Sequence, residues 1–136
     1  MRTEEYPLII CCTEESSDIV FVEFPDNLKV DLLAAQQIVA GRLEFTKDKT
    51  HFLVVDLSNV RHVSSDAKEF LQRPDAGLKN ILGAAFIASN PVSALIANIF
   101  IKTPMKFQAK FFWKKEDAFE WINKCRMKMT MVSDSN

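Results

Sequence analysis

The stretch that decides the fold is Ile81–Ile101, ILGAAFIASNPVSALIANIFI, which carries no charged residue. About 20 such residues are enough for a helix to cross a bilayer. Ser89-Asn90-Pro91 stands near its centre, and a lone spanning helix would have to break there, because proline lacks the amide hydrogen and its ring clashes with the preceding turn. To the left, Gly83–Ser89 is unbroken, apolar and of strand length. To the right, Val92, Leu95, Ile96, Ile99 and Phe100 recur at helical spacing, and Asn90-Pro91 places proline at the first helical position. The stretch therefore predicts a buried strand followed by a buried helix, and no membrane span.

Upstream, His51–Leu57 is a second continuous apolar run, the pattern of a strand covered on both faces. Between the two runs, Ser64-Ser65-Asp66 offers hydroxyls to cap a helix and an acid for its first turn. Ala67, Phe70 and Leu71 supply the buried face of that helix, and Pro74 ends or restarts it. Asp31 caps an earlier helix reaching about Thr46, with Leu32, Ala35, Val39 and Leu43 on one face and Gln36, Arg42 and Glu44 on the flanks and outside. At the start, Leu8–Cys12 and Ile19–Phe24 flank the polar Thr13–Asp18 and read as a β-hairpin. Ala109–Trp113 is the last strand, and Lys115 to about Met127 the last helix, with Ala118, Trp121, Ile122 and Cys125 on one side.

Hairpin, helix, strand, helix, strand, helix, strand, helix is an α/β order. It predicts a mixed, mostly parallel five-stranded sheet that opens with a β-hairpin and is covered by about four helices. The expected organisation is a single domain over residues 1–129 and a flexible, polar C-terminal tail over 130–136.

The chain has 136 residues, 48% of them hydrophobic and 26% charged, with a net charge of -1. That balance creates no global field for nucleic acid or anionic lipid. Met1-Arg2-Thr3-Glu4-Glu5 is acidic, unlike the start of a signal peptide. Cys11, Cys12 and Cys125 are odd in number and two are adjacent, so they form no disulfide framework. Free thiols fit a reducing, cytoplasmic setting.

Three stretches together resemble the SpoIIAA-like branch of the STAS superfamily, which includes the anti-sigma-factor antagonists. They are Val54-Val55-Asp56-Leu57-Ser58-Asn59-Val60 leading to Ser64-Ser65-Asp66-Ala67; Ala84-Ala85-Phe86-Ile87 with Pro91 opening the next helix; and Lys110-Phe111-Phe112 followed by Glu116-Asp117-Ala118-Phe119-Glu120-Trp121-Ile122. The resemblance implies a STAS/SpoIIAA-like fold and a regulatory role. The antagonists carry Asp-Ser-Ser-Gly at the helix start, and their second serine is phosphorylated. Here Ser65 aligns with the first serine and Asp66 takes the place of the phosphorylated one. Ser64, Ser65 and Asp66 are therefore expected either to accept phosphate or touch a partner, or simply to cap the helix.

The residues do not assemble a catalytic centre. His51 and His62 flank one strand at opposite ends, and neither has a Cys or acid at metal-ligand spacing. Gly41, Gly77 and Gly83 lie too far apart for a phosphate cradle. Asp56, at a strand end, could imitate a phosphate-accepting aspartate with Glu23 and Asp26 as its acidic pair, but the opening hairpin spoils that topology. A carboxylate holding the amides of the next loop is the simpler reading. These features argue for a non-enzyme with no cofactor and no metal.

Binding surfaces remain. The Pro91 helix is apolar nearly all round, since Ala94, Ala97 and Ile101 join its stripe, and such a helix is buried on more than one side. Leu95, Ile96, Ile99, Phe100 and Ile101 are candidates for an interface or an apolar-ligand surface. Either Thr103–Phe107 and Trp113 cover them, or a second copy does, or an apolar ligand does. Charge is also uneven: residues 1–31 hold eight acids and two bases, and residues 102–128 hold eight bases and three acids. The sequence thus predicts a non-catalytic STAS-like regulatory or protein-interaction module that forms a homodimer or meets another protein. The alternative is a carrier or sensor of a lipid-like apolar ligand.

Overall fold

The computed structural model describes residues 1–15 and 17–134, with side chains as far as 131. The chain runs β1 (Arg2–Tyr6), β2 (Ile9–Thr13), β3 (Ile19–Glu23), β4 (Leu28–Val30), α1 (Leu32–Phe45), β5 (His51–Asp56), β6 (Val60–Val63), α2 (Ser65–Leu71), β7 (Ile81–Ile87), α3 (Pro91–Ile101), β8 (Gln108–Phe112) and α4 (Lys115–Asp134). Six strands form one sheet in the order β1-β2-β3-β5-β7-β8, and β4 pairs with β6 in a separate two-stranded ribbon. The first three strands are antiparallel neighbours, and β3, β5, β7 and β8 run parallel.

The main sheet has six strands rather than five. The extra one, β1, is RTEEY and is largely exposed, so it lacks the apolar alternation that marks a half-buried strand. It is an edge strand, folded back on β2 by Pro7 and Leu8 with Leu8 at φ 70°; proline followed by a left-handed residue suits a type II turn. The ribbon is likewise additional to the expected order. Its strands are three and four residues long, and they pair Leu28 with Val60 across a long separation.

The helices begin where their capping residues stand. The Asp31 carboxylate accepts from the Ala34 amide at 2.8 Å. Ser64 caps α2, and Asn90 opens α3 in a capping box with Ser93. The uncharged stretch is β7 followed by α3, and among the described residues no helix is long and apolar enough to cross a membrane. Helix α4 extends to Asp134, well beyond the end expected near Met127. The expected tail is therefore helical over 130–134, and its last two residues lie outside the described ones.

Because β3, β5, β7 and β8 are successive neighbours joined by right-handed crossovers, α1, α2 and α3 must all lie on the same face. Their residues Ala35, Ala67, Ile96 and Phe100 pack there with Val20, Val22, Leu53, Val55 and Ala84. The alternate strand residues Ile19, Phe21, Phe52, Val54, Ala85 and Ile87 point the other way, onto Ala118, Ile122 and Cys125 of α4. Full cover on both faces is why the strands read as unbroken apolar runs. Arg126 of α4 reaches back to Asp18 at 2.7 Å, so part of the charge asymmetry closes within the chain.

Candidate functional site

The three-helix face is not packed solid. Between α1, α2, α3 and the sheet lies a cavity of about 100 Å³. On such a scale about 10–15 Å³ accommodates one water, so this chamber is several times larger than an ordinary packing void. Its floor is Leu53, Val55 and Ala84, and its helical walls include Ile38 of α1, Leu71 of α2, and Ile96 and Phe100 of α3. Leu78 closes one end, from the segment between α2 and β7, and Met105 and Phe107 close another, from the segment after α3. The Gln72 side-chain amide donates to Thr103 Oγ1 at 2.7 Å, which ties the end of α2 to that second closure.

One charged group lines this apolar space: Arg42, only 4% exposed. Its Nη1 donates to the Lys79 carbonyl at 2.9 Å and meets His51 Nε2 at 2.9 Å. Its Nη2 donates to the Gly77 carbonyl at 3.1 Å and, more weakly, to that of Ala76 at 3.5 Å. Among the described residues no carboxylate pairs with it. Burial draws the guanidinium down to about 10, which still leaves it protonated at neutral pH.

His51, 2% exposed, has its tautomer fixed by this neighbour. Guanidinium can only donate, so Nε2 must present a lone pair, and Nδ1 then donates its proton to the Lys49 carbonyl at 2.9 Å. Burial pushes the imidazole down to about 4, aided by the adjacent cation. A neutral ring with both nitrogens engaged is a positioning group and leaves no free base. The Cys11 thiol is buried on the same side of the sheet, and burial raises it to about 12, away from the thiolate form that acts as a nucleophile.

Arg42 was expected on a flank of α1; it is in the interior. The signal was present in the spacing, since Ala35, Val39 and Arg42 at i, i+4 and i+7 share one helical face. Charge argued against that face, and no rule of composition announces a buried cation held by carbonyls.

The α3 residues singled out from sequence divide in two. Ile96 and Phe100 are buried and line the chamber, with Phe100 stacked on Phe86 at 6.1 Å between ring centroids. Leu95 is 65% exposed on the opposite side, and Ile99 and Ile101 are half-buried. Trp113 does not seal this outer side: it is itself mostly exposed and sits edge-on to Phe111.

At the start of α2, Ser64 accepts from the Ala67 amide at 3.3 Å and donates to Asp66 Oδ1 at 2.5 Å. That hydrogen bond holds the Asp66 carboxyl below its usual range. Ser65 is exposed. Asp56 Oδ1 accepts from the Ser58 amide at 3.0 Å, the loop-holding arrangement. His62 lies exposed on β6 while His51 is sealed in the core. Among the described residues no group of three or more His, Cys, Asp or Glu side chains could hold a metal.

Residues 13–126 match the model of a family described as a domain of unknown function, DUF7793. No curated protein matches the sequence. Among solved structures the chain is similar to an uncharacterised protein of the DUF3478 family with a SpoIIAA-like fold, from Shewanella loihica PV-4. The identity is 16% over 90% of this chain and 98% of that one, with a TM-score of 0.57. The fold is therefore SpoIIAA-like, as the resemblance in sequence implies.

Proposed function

The chain belongs to the DUF7793 family, and from that premise we propose that it is a non-catalytic, STAS-like regulatory module that binds an apolar small molecule on its three-helix face. The chamber carries this reading. Protein interiors close to the density of organic crystals, and the opposite face of this sheet is filled by α4. A space of about 100 Å³ walled by aliphatic and aromatic side chains is the kind of site that accepts an apolar ligand.

Helix α2 gives such a ligand a route to the surface. It is seven residues long; its last residue, Leu71, lines the chamber, while its first turn presents Ser65 and Asp66 to solvent. A ligand that moves Leu71 moves the Ser64–Asp66 turn with it. That turn is then the partner contact, or the place where phosphate is added to Ser64 or Ser65. Phosphate there would have to accommodate the Asp66 carboxylate held in its charged form beside it.

Native mass spectrometry of protein purified without detergent tests the reading. The expected result is a small organic adduct, or a raised thermal midpoint with a panel of three- to six-carbon alcohols, acids and arenes. An apo mass together with no shift for any compound in the panel overturns it.

A second reading, a symmetric homodimer, is favoured by the outer side of α3. Val92 and Leu95 on α3 and Trp113 after β8 are large, apolar and exposed, as an isologous contact requires. Sedimentation should then give a dimer that Leu95→Asp converts to a folded monomer; a wild-type monomer at high concentration removes this reading.

A further inference from the structure

We propose that the ligand of the chamber is a small amphipathic carboxylic acid, its carboxylate on the Arg42 guanidinium and its apolar part between α1, α3 and the sheet. This rests on the chamber being a ligand site and names the chemistry that site selects. The argument begins with the cation. A buried charge is costly unless paired, and Arg42 meets only neutral acceptors, three carbonyls and the His51 lone pair. Removing the charge would leave those same acceptors short of donors, but it is the net positive charge that they leave without a counter-ion.

The geometry leaves one donor for a ligand. Nη1 and Nη2 are engaged, and Nε makes no hydrogen bond among the described residues. Yet no fully buried side-chain nitrogen or oxygen among those residues lacks a partner, so Nε is open to a water-sized space. Arg42 lines the apolar chamber and does not line the polar cleft on the far side of His51, so the chamber is the opening we assign to Nε. An acceptor-only anion fits an N–H donor on a fixed cation. The volume limits its size: an apolar cavity of about 150 Å³ takes benzene, so about 100 Å³ holds about four carbons as it stands, and a ring or chain of about six enters only by moving the Leu71 end of α2. Phosphates and other dianions are disfavoured because a single cation faces walls that are otherwise apolar.

Hexanoate, benzoate and 1-hexanol are the probes, followed by calorimetry and by the Arg42 Nε–H resonance in ¹⁵N spectra. Hexanoate and benzoate are expected to bind at least tenfold more tightly than 1-hexanol, since a hydrogen bond to a charged group is worth that factor or more, and to shift the Nε–H signal. Ala84→Leu, which fills the floor while leaving Arg42 and His51 in place, should abolish acid binding. Arg42→Lys keeps a cation but loses the fork, and should lower acid affinity while leaving alcohol affinity alone. If it does not fold, the Ala84→Leu and probe comparisons decide by themselves. Equal affinity for hexanol and hexanoate overturns the carboxylate assignment while the apolar-ligand reading stands. Acid binding that survives Ala84→Leu puts the anion elsewhere and also overturns the assignment. Binding of none of the three probes removes the assignment, and the broader ligand panel then decides the underlying reading separately.

Discussion

Ala84 and Ala85 are neighbours on β7, and both are shut off from solvent, yet they meet different kinds of interior. Ala85 faces α4, a single helix of 20 residues whose Ala118, Ile122 and Cys125, at i, i+4 and i+7, lay one continuous ridge along the sheet. Ala84 faces three helices of 14, 7 and 11 residues, and the shortest of them leaves the chamber uncovered beneath its end. The same strands thus supply a filled face and a hollow one. A domain this small must draw its stability from some close-packed core, and the filled face provides one that tolerates space on the other side. Segments with few buried contacts are where ligand-linked motion is found, and α2 is seven residues long with Ala67 alone fully buried.

The comparison breaks if the α4 face proves slack. Ile122 is fully buried there, and Ile122→Ala removes three carbons from a site with little room to relax. The expected loss is about 2–5 kcal/mol in urea unfolding, the largest effect foreseen for a single change. A loss under about 1 kcal/mol would mean that α4 is loosely seated and the contrast between faces is wrong. Next in size is Ala85→Leu, which forces extra carbons into the same layer and should cost about 1–3 kcal/mol. An unchanged midpoint would show a void on this face too.

How far the sequence reveals these two faces depends on what kind of physics writes them. Caps are local chemistry, so Asp31, Ser64 and Asn90 mark their helices without reference to the rest of the fold. The doubly covered strands are legible because both faces exclude polar residues, and Pro91 divides β7 from α3 because proline is tolerated in the first turn of a helix and not in its interior. Edge strand β1 is illegible for the opposite reason: solvent on both sides leaves RTEEY no pattern to show. Of the site, the Ile96 and Phe100 stripe follows from helical spacing. The chamber does not follow from any residue, since a void is the gap left by the relative placement of α1, α2 and α3. Arg42 is hidden because its carbonyl partners at residues 76, 77 and 79 come from a segment more than 30 positions away.

The buried pair at the end of the hollow face sharpens the comparison through pH. The folded His51 titrates near 4 against about 6.5 in an unfolded chain. Between those values the unfolded state binds the extra proton, so stability rises with pH across the window and is lost as pH falls through it. The full contribution is present above about pH 6.5. At its steepest the slope is at most about 1.4 kcal/mol per pH unit for this one group. The lowered carboxyls of Asp66 and Asp75 add their own dependence, so the measurement is a difference. His51→Gln should show a visibly flatter stability profile than the wild type between pH 4 and 6.5. Parallel profiles would show that His51 is not held neutral by burial beside Arg42.

The smallest effect is expected at Ala84, and for that reason it discriminates best. Ala84→Leu adds the same three carbons as Ala85→Leu, one residue along the same strand, with the same helix and strand propensities at stake. On a filled face those carbons displace neighbours. On the hollow face they enter a space of about 100 Å³, whose lining side chains gain contacts that the void denied them. The added burial of apolar surface then offsets whatever small rearrangement Leu53 and Phe100 must make. The net change should lie within about 1 kcal/mol of zero, and stabilisation is the expected sign. A cost equal to that of Ala85→Leu would mean that the chamber collapses in solution, and with it the physical basis for a ligand on this face.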